Sequence, residues 1–461
     1  MGTMTNGTRE VCDVYGRHYR VGEDARDLTG HSRRTLLWAA WACMVAISPL
    51  QYSFGLAVPG LRSANGWGQT ETLMLLMVFV VCQAGVAAPA AWLHRRKVAS
   101  PTRLVVFGGL LSTVGLLALA HVEQIAGAFV GYSLLGGAGA GLVYSACLTT
   151  AAKWYPERRV LTIGFVTGGF ACGAVPSIVL LTLLTSGRGQ LAAFDVAALA
   201  TLLIVPTAGR LLKDPPPHWW PDGIDAQAWA VDRRLNRSLP HNLPAARHYS
   251  PSEALRTGVL PLIWLILASI TAVSLFGIAF VASYAVAGGL GTTVAGVAAG
   301  LLAAVNGLGR SVAGRLSDRF GRRRVLAAVL AIEGCAQFGL VLSGESQSAW
   351  AFGVCAMFAG LGGGAFYAIF ANIVLEYFGD RSLLQNQAVV YSAKAAGGLA
   401  GIGAAALLVA EVGYPPVLVA AGLVGLATAL MVRFLRQPGR PSLPVRPQLG
   451  TSTVVRTERT R

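Results

Sequence analysis

Acidic residues are scarce in this chain: 21 Asp and Glu in 461 residues, against 37 Lys and Arg. Charged residues of both signs make up 13%, about half of the roughly 25% usual in soluble domains. That excludes one or two ordinary soluble domains. Cysteine is sparse too. Cys12, Cys43, Cys82, Cys147, Cys172, Cys335 and Cys355 form no CxxC pair, and six fall within apolar runs. They read as small core residues, not as a disulfide framework or a metal site. No Walker loop, nucleophile elbow or metal cluster is visible, so neither enzyme chemistry nor a cofactor is expected. The N-terminus opens on polar, charged residues, so no cleavable signal peptide is expected.

What is abundant is apolar sequence: 54% of the residues, with a mean hydropathy of +0.57. A multi-spanning, all-α membrane protein fits. Runs long enough to cross a bilayer start near Leu36, Thr72, Leu104, Gln124, Val160 and Leu191, and again near Val259, Thr292, Val325, Ala349, Asn386 and Tyr414. The predicted organisation is a tail (1–35), six helices (36–209), a polar central loop (210–258), six helices (259–434) and a second tail (435–461). Charge tests this map. With the N-terminus in the cytosol, cytoplasmic segments hold 33 of the 37 Lys and Arg, and outside segments hold Arg62 and Arg188. This positive-inside asymmetry predicts a plasma-membrane protein with both termini cytoplasmic. It also accounts for the net charge of +16 without a nucleic-acid partner.

The chain repeats itself. Gly141-Leu142-Val143-Tyr144 and Trp154-Tyr155-Pro156-Glu157-Arg158 return, 223 residues on, as Gly364-Ala365-Phe366-Tyr367 and Tyr377-Phe378-Gly379-Asp380-Arg381. Two pseudo-symmetric six-helix halves follow. The fourth and tenth runs are rich in glycine, which lets helix backbones approach closely in lipid.

The loop after the eighth run reads Gly314-Arg315-Leu316-Ser317-Asp318-Arg319-Phe320-Gly321-Arg322-Arg323-Arg324. One carboxylate, Asp318, stands among five cations in a short turn. It can pair with an Arg or a helix N-terminus on the neighbouring helix and latch a gate; the alternative is a merely topogenic basic loop. The turn resembles the signature of major facilitator transporters, with Gly314, Asp318, Arg319, Gly321 and Arg322 at its marked positions. The matching loop of the first half, His94-Arg95-Arg96-Lys97, keeps the charge and loses the pattern.

A narrower resemblance spans roughly Leu36 to Arg433. The stretches Gln51-Tyr52-Ser53-Phe54, Lys153-Trp154-Tyr155-Pro156-Glu157-Arg158-Arg159, Asp214-Pro215-Pro216, Asn306-Gly307-Leu308-Gly309-Arg310 and Tyr391-Ser392-Ala393-Lys394 are together similar to the oxalate/formate antiporter family, related to monocarboxylate carriers. Gly379, where the first repeat has Pro156, is a departure. The resemblance implies a major facilitator fold and a transporter of small organic anions working by alternating access, as a monomer in membrane lipid.

The residues support this on their own terms. Arg310 lies five residues before Arg315, about 7.5 Å deeper along a helix, and Lys394 eight residues into its run, about 12 Å in. A charge at such depth costs about 2.5–3.5 kcal/mol on insertion scales. Two cations facing one cavity make an anion site, Arg as a planar fork and Lys as a point charge; the alternative is a structural ion pair. The resemblance assigns both to the substrate's carboxylates. Gln51, Tyr52, Tyr144, Tyr367 and Tyr391 are candidates to line the same site, or to pack as ordinary buried tyrosines. Only Glu333 and Asp195 put an acid within apolar runs. Glu333 is either protonated or paired locally, and is the candidate for proton coupling.

A drug exporter would want a carboxylate in the cavity, where this chain puts two cations. A membrane sensor would want a signalling domain, and the loops and tails are too short for one. Uniport, proton symport and exchange all stay open. In the central loop, Trp219 and Trp220 are expected at the membrane interface and Ala226 to Leu235 as a short interfacial helix. The tails, Met1 to about Gly30 and Gln437 to Arg461, read as disordered.

Overall fold

The computed structural model describes residues 4–5, 8–96, 98–184 and 187–439; the C-terminal tail beyond Gly439 lies outside them. Twelve helices among these residues are long and apolar enough to cross a membrane. They are α1 (Arg33–Tyr52), α2 (Gln69–Leu93), α3 (Pro101–His121), α4 (Ile125–Trp154), α5 (Pro156–Leu183), α6 (Leu191–Gly209), α7 (Val259–Ala287), α8 (Gly291–Phe320), α9 (Arg322–Glu345), α10 (Ala349–Phe378), α11 (Leu383–Val412) and α12 (Tyr414–Phe434). The expected six, central loop and six are present in that order.

Local chemistry sets the helix ends. Ser32 and Ser100 cap α1 and α3, each accepting from the N–H three residues on, which satisfies a donor that a helix start leaves open. The departure at Gly379 has a backbone reason. Pro156 opens the short turn that leads into α5, a place where its missing N–H is harmless. Gly379 instead ends α10 at φ 79°, a conformation that glycine adopts without penalty.

Glycine seams hold the helices together. Gly168 of α5 and Gly307 of α8 face each other so closely that a Cβ on either would lie 2.5 Å from the other's carbonyl oxygen. Gly164 meets the Arg310 backbone in the same way, at 2.6 Å. The helix Phe54–Asn65, which continues α1, rests Gly55 on the Ile278 carbonyl of α7. Backbone contact of this kind replaces the hydrophobic drive that lipid removes. These seams fasten α1 to α7 and α5 to α8, joining the first six helices to the last six.

The N-terminal tail is not disordered over its described length. Strands β1 (Met4–Thr5), β2 (Thr8–Cys12) and β3 (His18–Val21) form an antiparallel sheet, followed by a short helix, Ala25–Thr29. Asp13 ties the β2–β3 turn: its carboxylate accepts from the backbone of Tyr15 and Arg17, from Arg17 Nε at 2.7 Å and from the Tyr19 hydroxyl at 2.8 Å. Burial alone would push this carboxyl up, but those donors and the Arg17 charge hold it below its ordinary value.

Nor do Trp219 and Trp220 sit at a lipid interface. They are 5% and 2% exposed and form the core that joins the tail to the central loop. Trp219 Nε1 donates to the Glu23 carbonyl, and its ring meets Trp154 of α4 edge-on. Trp220 packs on Tyr19 and Trp229, and its backbone N–H donates to the Arg20 carbonyl. The expected interfacial helix is shorter than predicted, Ala226–Val231, with Ala226 buried beside Tyr19 and Trp220. The sequence cue of a proline-flanked Trp pair was right about burial of an apolar body and wrong about what buries it.

This cap predicts a local response. Trp219→Ala removes an indole whose loss from a core costs about 3–5 kcal/mol, more than so small a unit withstands. Limited trypsinolysis should then cut at Arg17, Arg20 and Arg26 in the variant while the helical bundle keeps its circular dichroism. Equal protection of those sites in both proteins would show that the cap does not depend on Trp219.

Candidate functional site

Arg310 and Lys394 both lie deep inside the bundle, 1% and 3% exposed. The structure brings every expected lining residue to them. Arg310 Nη2 donates to the Tyr52 hydroxyl and to Asn306 Oδ1, each at 2.8 Å, and Nη1 donates to the Thr167 carbonyl at 2.9 Å. Its guanidinium stands 5.2 Å above the Tyr367 ring. Lys394 Nζ donates to Gln83 Oε1 at 2.5 Å and to Gln51 Oε1 at 3.1 Å. The rings of Tyr144, Phe170 and Tyr391 lie 5.7–5.9 Å from it.

Backbone geometry puts these side chains there. Asn306 and Arg310 are one turn apart on α8, so they share a face. Lys394 sits in Ala393–Gly398, between an interruption at Ser392 and a π-helical turn, Leu399–Ala404. Wide turns of this kind redirect side chains and are frequent at functional sites. Gln51 and Tyr52 occupy the last turn of α1, before it too is interrupted at Ser53.

No carboxylate among the described residues approaches either cation. The titratable groups beside Arg310 are neutral tyrosine hydroxyls, and the titratable group acting on Lys394 is Arg310 itself. The structural ion pair weighed from the sequence is therefore absent from this arrangement. Glu333 is elsewhere, on α9 against α10.

A cleft of about 1050 Å³, counting its open mouth, leads to the site. Its mouth lies between Ala87 and Ala90 of α2, Pro101 of α3 and Gln387 of α11, at the end of the bundle that carries the central loop. Its floor is Tyr144, Tyr367 and Tyr391. Tyr144 and Tyr391 stack at 5.8 Å and 24°, so the rings lie between the cleft and the cations. At the opposite end α2 meets α12 and α7: Gln69 Nε2 donates to the Tyr414 hydroxyl at 3.0 Å, and Tyr414 packs on Phe280 and Tyr284.

The basic turn is held within the second half. Asp318 lies in the last turn of α8. It pairs with Arg322 at 2.7 Å, one turn on. Arg322 also grips Glu376 of α10 through Nε and Nη2, at 3.2 and 2.9 Å, and donates to Ser317. Its backbone N–H donates to Asn242 of the central loop. Gly314 lies against Val160 of α5, while Arg319 is exposed and rests over Phe320. Gly321 makes the turn at φ 94°.

Sequence reasoning passed over Gln83, Phe170 and Glu376 and gave Asn306 no role. Gln83 had a signal, as an amide in the middle of the second apolar run. Glu376 had a fainter one, as an acid at the end of the tenth apolar run. Phe170 had none, since a ring in an apolar run looks like core.

Comparison with known proteins follows the same lines. The profile of the Major Facilitator Superfamily matches residues 40–312 and 262–458. The chain is 24% identical over 404 residues to the oxalate:formate antiporter of Oxalobacter formigenes, covering 86% of this chain and 90% of that one. It is 28% identical over 185 residues to monocarboxylate transporter 11 of Mus musculus, covering 38% and 40%. In three dimensions it resembles a POT family transporter, with a TM-score of 0.65 at 12% identity over 89% of this chain and 97% of that one. It likewise resembles the Escherichia coli fucose:proton symporter, with a TM-score of 0.60 at 15% identity over 88% and 98%. With twelve spanning helices and a profile match over most of its length, this multi-pass membrane protein belongs to the Major Facilitator Superfamily, and it is a transporter rather than an enzyme.

Proposed function

We propose that the protein carries small organic anions, mono- or dicarboxylates, across the cytoplasmic membrane by alternating access between residues 36–209 and 259–434. The single observation that carries this is an imbalance of donors. The amide oxygens of Gln51, Gln83 and Asn306 are all engaged, by Lys394, Arg310 or Tyr52. What stays buried without a partner beside them is mostly donor: Arg310 Nε, Gln83 Nε2 and Asn306 Nδ2, with the Tyr391 hydroxyl, which can also donate. Unpaired buried polar atoms call for a partner. Here the fitting one accepts hydrogen bonds and carries negative charge, and a carboxylate has only acceptor atoms. A cationic solute would meet two positive charges and no carboxylate among the described residues. The similarity to the oxalate:formate antiporter supports the same substrate class. Arg310 and Lys394 bind the carboxylates in this reading, and Gln51, Tyr52, Tyr144, Tyr367 and Tyr391 enclose them.

Uptake of labelled oxalate, formate, lactate and pyruvate into proteoliposomes tests it. Arg310→Lys keeps the charge and loses the fork, and should weaken binding roughly tenfold to a hundredfold, as expected for one charge-assisted hydrogen bond. Lys394→Gln should harm a dicarboxylate more than a monocarboxylate, because it removes the second positive charge. Wild-type rates and affinities in both variants would make the cations structural. Transport of a neutral or cationic solute with no carboxylate would overturn the substrate class.

The basic turn acts as a gate in the same reading. Asp318→Asn should slow transport more than it weakens binding. Because Glu376 still holds Arg322, the Asp318→Asn/Glu376→Gln double variant should slow it further. An unchanged rate in the double variant would leave the turn as a topological signal only.

Both termini lie in the cytosol by the charge asymmetry. In a cysteine-free background, Ser346→Cys should react with an impermeant thiol reagent added outside intact cells, and Asp222→Cys should not. Labelling of position 222 from outside would reverse the orientation.

A further inference from the structure

Glu333 is 1% exposed, at a depth where an acid is rare and usually functional. It is also unserved. Its Oε2 has no hydrogen-bond partner, and neither amide atom of Gln337, one turn on, has one. The groups packed around it are small. From α10 come Gly362 and Gly363, and from α7 comes Ser274; α12 presents Gly422 and Gly425 to the adjoining Gly334. No charged or titratable side chain among the described residues faces Glu333 from any of them. Packing alone gives no reason for a carboxyl here, since an apolar side chain would fill the same space without leaving a polar atom unpaired.

The α10 segment beside Glu333 gives one. Gly362 rests directly on the Glu333 backbone, and a Cβ on Gly363 would meet Ser274 Oγ at 2.6 Å and Glu333 Oε1 at 3.0 Å. Other glycines of the segment face α8: Gly360 lies on the Leu302 carbonyl, and a Cβ on Gly364 would meet Asn306 Oδ1 at 2.7 Å. Asn306 Oδ1 is an acceptor for Arg310. One turn beyond Gly363, Tyr367 carries the ring under that guanidinium. A bare stretch of α10 is thus wedged between the acid on one side and the anchor of the anion-site arginine on the other, with few side chains to absorb a shift.

We propose that Glu333 is a proton-binding site that couples proton movement to anion transport through α10; this rests on the carboxylate reading above. With its proton, the carboxyl is neutral and fits the dry seam. Without it, the charge draws water or displaces α10, and the displacement reaches Asn306 and Tyr367 and so Arg310. One proton binds the Glu333 carboxylate as a monocarboxylate loads on one side. Both leave on the other, so the cycle moves no net charge.

Proteoliposomes with a pH-sensitive dye inside, driven by an anion gradient, test this. Wild type should move protons with the anion. Glu333→Gln, which mimics the protonated form, should lose proton movement and the pH dependence of net uptake. It should still exchange labelled for unlabelled anion, which shows that it folds. Glu333→Asp should retain proton movement. Proton movement at the wild-type ratio in Glu333→Gln, none in wild type, or dependence on sodium in place of protons would each overturn the proposal. Infrared difference spectra across a pH titration need no substrate. A protonated-carboxyl band present in wild type and missing in Glu333→Gln is expected. Its absence from wild type sinks the Glu333 assignment alone, whereas failure of all carboxylate uptake with the band present sinks the substrate class and leaves the proton site standing.

Discussion

Two positive charges buried without an acid are the constraint around which the rest of this molecule is arranged. Neither Arg310 nor Lys394 can be left bare at that depth, and neither is paired with a carboxylate among the described residues. Each is instead surrounded by neutral acceptors: amide oxygens, a tyrosine hydroxyl and a backbone carbonyl. Neutral partners stabilise a cation while leaving its charge uncancelled, which is what an anion site requires. A carboxylate partner would have stabilised it better and made it useless for that purpose. Aromatic faces at 5.2–5.9 Å add to the stabilisation, and in the anion site proposed above the uncancelled charge would act strongly in so dry a place.

Supplying those neutral partners demands that helices from both halves come close. Gln51, Tyr52, Gln83 and Thr167 come from the first six helices, and Asn306, Arg310, Tyr367 and Lys394 from the last six. The glycine seams serve that demand. At Gly164, the missing side chain lets α5 approach the backbone of Arg310 itself. The seam and the site are therefore one construction, and a side chain added at Gly164 or Gly168 would displace the cation as well as the helix.

Much of this was legible beforehand because membrane depth is an unforgiving filter. Twelve apolar runs, an excess of Lys and Arg on alternate loops and two cations in the wrong solvent are each visible in one dimension. The convergence of Gln51, Tyr52, Tyr144, Tyr367 and Tyr391 on those cations was expected from a resemblance, and the structure brings them together. The illegible parts depend on tertiary pairing between distant, individually ordinary residues. Nothing local in His18–Val21 announces a strand whose neighbour is Trp220, some two hundred residues on. Asp318 was expected to meet an Arg or a helix N-terminus on the neighbouring helix, and it meets Arg322 at the start of α9. What the sequence did not announce is Glu376 on α10, which fixes that arginine where Asp318 can reach it. Such three-body arrangements leave no periodicity and no composition signal.

The cap has a mechanical consequence. The first part of the central loop is anchored to the first half, through Trp154 and Asp214. The later part is anchored to the second half, where Ser238 and Asn242 hold Arg322 and Tyr249 donates to the Phe378 carbonyl. A loop of some fifty residues therefore works as a much shorter leash. The stretch from Val231 to Ser238, folded in turns with Asn236 buried, spans the two anchorages and would reach about 25 Å if fully extended. In the alternating access proposed above, this leash would set how far the basic ends of the two halves can part, so the width of the mouth would be limited by the central loop and not by the helices that line it.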